Sequence, residues 1–310
     1  MSLNKLKIKN TFKSEDTEEL LDKVFYRPFG YYMALASRKM GITPNGITIF
    51  SIFVGVLAGH LFYYQNLQIN IIGIVLLIWA EGLDSADGQL ARMTNHKSRF
   101  GRILDGLGGN LWYISIYIHL CLRLINAGLS PAIFFIAVIA GISHSFQCAV
   151  ADHYRNFYSY FVHGKDKSEI DDSSNLAVEY PNLSWRKNFW KKFLMRMYIN
   201  YTVEQEFVSR NTMILLRFFE RNFESQIPDK ISTLFRDKNK KLIKYYNILT
   251  SNTRMIVLFI AILLNNIYIF AFFQVICLNL LLIYVVARHE VNSKFILNEA
   301  ISDMPEAIIC

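Results

Sequence analysis

Cysteine is scarce in this chain: Cys121, Cys148, Cys277 and Cys310 are four residues in 310. No CxxC pair or zinc-ligand spacing occurs among them, and most sit inside apolar runs. They therefore read as small packing residues, which excludes a disulfide framework or a structural zinc site. An apolar core is also missing from the opening stretch MSLNKLKIKNTFKSEDTEELLDK, so it does not read as a cleaved signal peptide. No internal or inverted repeat is evident, which argues against transporters built from duplicated halves. Three connections between apolar segments, near 66–68, 125–130 and 265–266, hold no Lys or Arg, and Arg123 is the one basic residue close to them.

What the chain has in abundance is apolar surface. Hydrophobic residues make up 53% of it and 24 are Phe, too apolar for an ordinary soluble domain. Measured against the ~20 residues needed to cross hydrocarbon, six segments qualify: 46–65, 69–85, 103–124, 131–151, 253–267 and 268–287. The second runs on into polar Asp84–Arg92, which predicts one helix leaving the membrane there. The last two form one run too long for a single span, divided at Asn265-Asn266. The expected fold class is an all-α integral membrane protein with six transmembrane helices, an N-terminal interfacial helix and a cytoplasmic helical insertion.

The net charge of +8 is read by position, not as a nucleic-acid signal. The connections opposite the uncharged ones hold Arg92, Lys97, Arg99 and Arg102, then a dense series from Arg155 to Arg254. The positive-inside rule places them, and with them both termini, in the cytoplasm. The resulting organisation is a cytoplasmic N-terminus with an interfacial helix (1–45), four spans (46–155), an insertion (156–252), and two spans with a tail (253–310). In the segment EDTEELLDKVFYRPFGYYMALASRKM, Phe29, Tyr31 and Tyr32 are expected at headgroup level. The insertion opens with GKDKSEIDDSSN and turns aromatic and basic in WRKNFWKKFLMRMYINYTVEQEF and MILLRFFERNF. Two readings stand for it: helices lying on an anionic leaflet, or a small helical subdomain packed on itself.

Residues 84–110, DSADGQLARMTNHKSRFGRILDGLGGN, place three acids at a membrane border. A carboxylate near hydrocarbon costs several kcal/mol unless paired or hydrated, so such acids mark function. Asp84 and Asp87 are three apart on one helical face, continued by Gly88 and Ala91. Gly101 and Asp105 repeat the pattern on the next helix. A short link between the helices would bring the acids together. Hard oxygen ligands of this kind suit Mg²⁺ or Mn²⁺, the glycines admit a bulky ligand, and Arg92 supplies a cation for phosphate.

Together these residues resemble the CDP-alcohol phosphotransferase family of integral membrane enzymes, whose pattern is D-x2-D-G-x2-A-R-x8-G-x3-D-x3-D. Asp84, Asp87, Gly88, Ala91, Arg92, Gly101 and Asp105 meet every position before the last acid. Pro44-Asn45-Gly46-Ile47-Thr48 is similar to a Pro-Asn-x-x-Thr element of many members. The resemblance covers about 20–155 and 253–290 and leaves the insertion outside. It implies transfer of a substituted phosphate from a CDP-linked donor to a hydroxyl acceptor, with release of CMP, in a membrane-lipid setting. Asp84, Asp87 and Asp105 would hold two divalent ions. Asn45, Thr48, Gly88, Ala91, Arg92 and Gly101 would form the nucleotide site, with Asp105 catalytic. Family members are often homodimers.

The family's last acid, its favoured general base, is Gly109 here. Asn110 follows, and a π-bulge in Gly106–Gly109 would turn it onto the acidic face, which makes Asn110 the second catalytic candidate. Three readings remain open: Glu81 or Asp152 acts as base; a metal or a phosphate on the acceptor takes the proton; or the protein binds metal and nucleotide with little turnover. The fourth span ends SHSFQCAVADHYRN, in which His144, Gln147, Asp152 and Arg155 are candidate acceptor ligands; a helix end emerging into the cytoplasm is the alternative. His60 and His119 read as interfacial, and His289 and Glu290 as solvated. CDP-diacylglycerol with a polyol or its phosphate is the favoured substrate pair, and a soluble CDP-alcohol with a lipid acceptor such as diacylglycerol is the alternative. A transporter is the competing class, opposed by the clustering of the acids at one border.

Overall fold

The computed structural model describes residues 16–96, 98–223 and 226–302. The polar N-terminal stretch before them, Lys97 of the basic connection and Cys310 lie outside the described residues. In chain order the helices are α1 (Arg27–Lys39), α2 (Pro44–Leu61), α3 (Leu67–Met93), α4 (Arg99–Asn126), α5 (Ile133–His163), α6 (Ser173–Glu179), α7 (Phe189–Val208), α8 (Arg210–Asn222), α9 (Asp229–Asn239), α10 (Ile243–Ile248), α11 (Ser251–Leu263), α12 (Ile267–Phe272) and α13 (Leu278–Ser302). No strand occurs among the described residues. The chain divides into two compact units. Unit 1 takes in the chain up to Ser145 together with Ser251–Cys277, and unit 2 takes in Phe146–Thr250 and the chain from Leu278.

Five helical stretches among the described residues are long and apolar enough to cross a membrane: Pro44–Leu61, Leu67–Met93, Ile133–His163, Asp229–Leu263 and Ile267–Ser302. The sequence predicts six. The remaining one, 103–124, lies within α4, whose composition is diluted by Arg99, Arg102 and Asp105 at one end and by His119 and Arg123 at the other. The break between the last two stretches falls at the Asn pair, where Asn265 takes a left-handed φ of +51° that Asn tolerates well. Two helices run beyond their expected ends at 151 and 287. Their continuations bury one face: Tyr154, Phe157, Tyr158 and Phe161 in α5, and His289, Ser293, Ile296 and Ala300 in α13, are buried.

In unit 1, helix starts follow local chemistry. Thr43, Asn66 and Ser98 cap α2, α3 and α4, accepting from the backbone N–H groups of Gly46, of Gln68 and Ile69, and of Gly101. Helix α2 packs on α3 and α4, and α1 packs on α3. The α2–α4 approach needs glycine: a Cβ on Gly59 would lie 2.6 Å from Ser115 Oγ, and one on Gly55 only 2.3 Å from the Trp112 ring. His60 and His119 pair at 3.0 Å across the same two helices. On α1, Gly30, Ala34 and Ser37 are buried while Tyr32 is exposed.

Arg123 has a different role from the one its charge suggests. It is buried, and its guanidinium donates to Phe62 O (3.2 Å), to Asn265 Oδ1 (2.7 Å) and to the Asn70 amide oxygen. One cation thus ties the turn after α2, the start of α3 and the α11–α12 turn. Arg123→Met keeps the length but leaves these acceptors without their donor. It is expected to cost about 2–4 kcal/mol and to lower the melting temperature of the detergent-solubilised protein by several degrees.

Unit 2 is built around a second core. Helix α8, from the MILLRFFERNF stretch, buries Met213, Leu215, Leu216 and Phe219 and packs on α13, so it is a core helix and not a leaflet helix. His289 and Glu290 are not solvated. His289 is fully buried, stacked 3.9 Å from Tyr154, with Nδ1 sharing a 2.6 Å hydrogen bond with the Tyr246 hydroxyl. Glu290 accepts from Asn211 N (2.6 Å) and Thr212 Oγ1 (2.5 Å), a carboxylate held at the N-terminus of α8 where backbone donors would otherwise be unmatched.

Candidate active site

The three acids meet because of register. Asp87 lies six residues before the last residue of α3, and Asp105 six after the first of α4, so each is about 9 Å along its helix from the link. The link itself is tight. Thr94 N–H donates to Leu90 O, His96 N–H to Ala91 O, and Asn95 takes φ +54°. Both helices pack on α2, and the acidic side chains reach towards one another from α3 and α4. One carboxylate oxygen from each of Asp84, Asp87 and Asp105 lies within 4.8 Å of the other two. Asp87 is buried, Asp84 half-buried and Asp105 exposed, so the group opens on the α4 side.

A six-coordinate Mg²⁺ or Mn²⁺ with oxygens at ~2.1 Å places neighbouring oxygens ~3 Å apart and opposite ones ~4.2 Å apart. The observed spacing is within a small side-chain adjustment of that, and three carboxylates converging on one point supply the hard oxygen donors such an ion takes. The residues present fit a divalent cation.

Helix α2 completes the first shell of contacts. Thr48, one turn into the helix, donates its hydroxyl to Asp87 Oδ2 at 2.5 Å, which fixes the carboxylate rotamer. Asn45 Oδ1 would be 3.2 Å from a Cβ on Gly101, and Ser98 Oγ 3.1 Å, so position 101 admits only hydrogen without displacing the Asn45 side chain or the α4 cap. The Arg92 guanidinium lies 3.5–3.8 Å from the Cβ position of Gly88, within the same turn of α3. Ala91 and Arg92 are half-buried. The predicted nucleotide residues Asn45, Thr48, Gly88, Ala91, Arg92 and Gly101 thus occur as two neighbouring sets, one between α2 and the acids and one along α3.

At the position of the missing acid, α4 stays α-helical through 106–110, with no π-bulge. The Asn110 amide donates to Gly106 O at 3.0 Å, along its own helix. A Cβ added to Gly109 would meet nothing within 4 Å. Glu81, one turn before Asp84, accepts from Ser251 Oγ at 3.0 Å. The next residue, Asn252, donates through Nδ2 to Glu19 (2.9 Å) and Asp22 (2.8 Å). Motif reading singled out none of Ser251, Asn252, Glu19 and Asp22; the acidic turn EDTEELLD was the one available signal.

The candidate acceptor residues are distributed differently. In unit 1, His144 is buried with its ring 4.1 Å from Tyr113, whose face also carries the Arg254 guanidinium at 5.5 Å. In unit 2, Gln147 is buried and donates to Asn279 Oδ1 (2.9 Å). Asp152 accepts from Asn156 (3.0 Å) and lies 3.8 Å from Arg155.

The sequence model of the CDP-alcohol phosphatidyltransferase family matches residues 41–159, the stretch holding α2, α3, α4 and most of α5. Among curated proteins, the chain is 48% identical over 67 residues to the archaetidylinositol phosphate synthase of Pyrococcus horikoshii, covering 22% of this chain and 34% of that one. It is 40% identical over 67 residues to an uncharacterized protein of Aquifex aeolicus, covering 22% and 33%. The chain spans about a third of the length of the curated relatives it matches.

Proposed function

We propose, from the match of residues 41–159 to the CDP-alcohol phosphatidyltransferase family, that this membrane protein transfers a substituted phosphate from a CDP-linked lipid, CDP-diacylglycerol by class, to a hydroxyl of a polyol or polyol phosphate, releasing CMP. The observation that carries the reading is the set of three carboxylate oxygens within 4.8 Å, steadied by Thr48 from the Pro-Asn-x-x-Thr element. Support for a polyol phosphate acceptor comes from the Pyrococcus horikoshii relative, named an archaetidylinositol phosphate synthase.

In the reaction an oxygen–phosphorus bond forms from the acceptor hydroxyl to the lipid-bearing phosphorus. The bond from that phosphorus to the bridging oxygen breaks, and CMP departs with that oxygen. Divalent ions, two Mg²⁺ or Mn²⁺ on the family resemblance, supply charge neutralisation for the pyrophosphate and the departing CMP when held by Asp84, Asp87 and Asp105. Thr48 keeps Asp87 oriented, and Arg92 adds a fixed positive charge beside Gly88, where a phosphate can reach the backbone. Gly101 and Asn45 shape the side towards α2. The proton of the attacking hydroxyl goes to Glu81, held by Ser251, or to the acceptor's own phosphate. His144, Gln147, Asp152 and Arg155 are proposed for the acceptor side. The Lys and Arg distribution puts the site and both termini on the cytoplasmic side.

A second reading is a domain that binds metal and nucleotide with little turnover. It is favoured by Gly109 and by an Asn110 amide engaged with its own helix. Purified protein with Mn²⁺ should release CMP from CDP-diacylglycerol when a polyol or polyol phosphate acceptor is supplied. Absence of acceptor-dependent CMP release with every CDP-alcohol class, alongside intact Mn²⁺-dependent CMP binding, would overturn the enzyme reading in favour of the second.

A further inference from the structure

Helix α7 has two apolar faces. One is used inside unit 2: Leu194, Ile199, Thr202 and Gln205 are buried, and Gln205 Nε2 donates to Ala149 O at 2.8 Å. The other faces outward. Trp185, in the turn before the helix, and Phe189, Trp190, Phe193 and Met197 on its first turns are all exposed, Trp190 by 68%. Their rings form a continuous plate: Trp185 lies 5.6 Å from Phe189, Phe189 stacks on Phe193 at 6.3 Å, and Trp190 meets Phe193 edge-on at 6.3 Å. A surface helix of a soluble unit ordinarily carries one apolar stripe, so a second one with two tryptophans calls for a covering.

The surrounding charge selects the covering. Arg186, Lys187, Lys191 and Arg196 are exposed around the plate, and no Asp or Glu occurs between Glu179 and Glu204. Lys192 tucks back, donating to Leu183 O at 2.6 Å with its ammonium over the Tyr180 and Trp185 rings, so it braces Trp185 in place. A second copy of the same face would oppose cation to cation in a two-fold contact, which disfavours a dimer here. The chain on both sides of this segment contains helices apolar enough to span a bilayer, so a lipid surface is within tether reach. We infer that the Trp185–Met197 face is a docking surface for anionic lipid, with the aromatic plate entering the headgroup–acyl boundary and the four exposed cations pairing with acidic headgroups.

The test uses the full-length protein in nanodiscs of phosphatidylcholine containing about a third phosphatidylserine, a composition chosen for its surface charge. Comparing wild type with Trp190→Tyr isolates the Trp190 emission. Chain-brominated lipid should quench that component by more than half, and Lys187→Glu/Lys191→Glu/Arg196→Glu should shift the docked fraction down by about tenfold or more. Unchanged circular dichroism keeps that comparison about docking and not folding. Access of aqueous acrylamide to Trp190 without quenching by brominated lipid would overturn the inference. So would protection from both quenchers, which would mean a protein covering such as a second copy. Equal quenching in pure phosphatidylcholine and in the charge-reversed protein would overturn the anionic assignment.

Discussion

Aspartate in place of Gly109 is expected to raise acceptor-dependent CMP release, by up to about 10²–10⁴-fold, the range that a positioned general base contributes where the acceptor's own phosphate otherwise takes the proton. Three features of the structure support that sign. Position 109 lies four residues after Asp105 on an unbroken α-helix, so a side chain there shares the acidic face. A Cβ meets nothing within 4 Å, so the carboxylate has room without displacing a neighbour. The substitution replaces glycine by aspartate in a helix interior, which is neutral or slightly favourable for the backbone, by a few tenths of a kcal/mol. Melting in the presence of Mn²⁺ should therefore be unchanged or raised. Steady-state CMP release at saturating Mn²⁺ and acceptor measures the effect. Loss of a measurable wild-type activity would instead show that the reaction depends on the open space at Gly109, leaving the proton to Glu81 or the acceptor's phosphate.

Asp87→Asn separates binding from stability in opposite directions. The amide keeps the shape and can still accept from Thr48, so the α2–α3 contact survives. What is lost is one of three negative charges. Two ionised carboxylates 4.8 Å apart repel by roughly 3 kcal/mol at the effective dielectric of a partly buried site, and a bound cation is what offsets this. The metal-free variant should thus melt no lower than the metal-free wild type. Mn²⁺ affinity, read by the loss of the free-ion electron paramagnetic resonance signal, should fall at least about 100-fold, and acceptor-dependent CMP release should fall with it. A variant that binds Mn²⁺ as tightly as wild type would remove Asp87 from the metal site. One that is strongly destabilised without metal would recast it as a structural residue.

Much of the site was legible in the sequence because helical spacing is rigid. Asp84, Asp87, Gly88, Ala91 and Arg92 are fixed relative to one another by 1.5 Å and 100° per residue. Asp105 follows once a short link is granted, since equal distances from the link put two positions side by side. Thr48 could be assigned to the nucleotide site but not to its hydrogen bond with Asp87, because the azimuth at which α2 packs on α3 is set by Gly73 against Phe62 and Ala58, and not by residues at the site. The proposed turn of Asn110 failed for a local reason: the amide finds Gly106 O one turn back, and the regular helix has no need of a bulge.

The sequence by itself determined which segments are apolar, where helices begin, that three acids stand at a helix link and that the fourth is missing. Hydropathy decides these because each depends on neighbours within a few turns. It could not decide what covers each apolar face, since lipid tails and Leu side chains are equally apolar and leave the same pattern. Only tertiary structure showed that the α8 face and His289 lie in a protein core, that Arg123 is spent on three turns rather than on topology, and that Gly109 borders open space. It also left the Trp185–Met197 face uncovered, an apolar face outside the spans whose partner has to be sought beyond the chain.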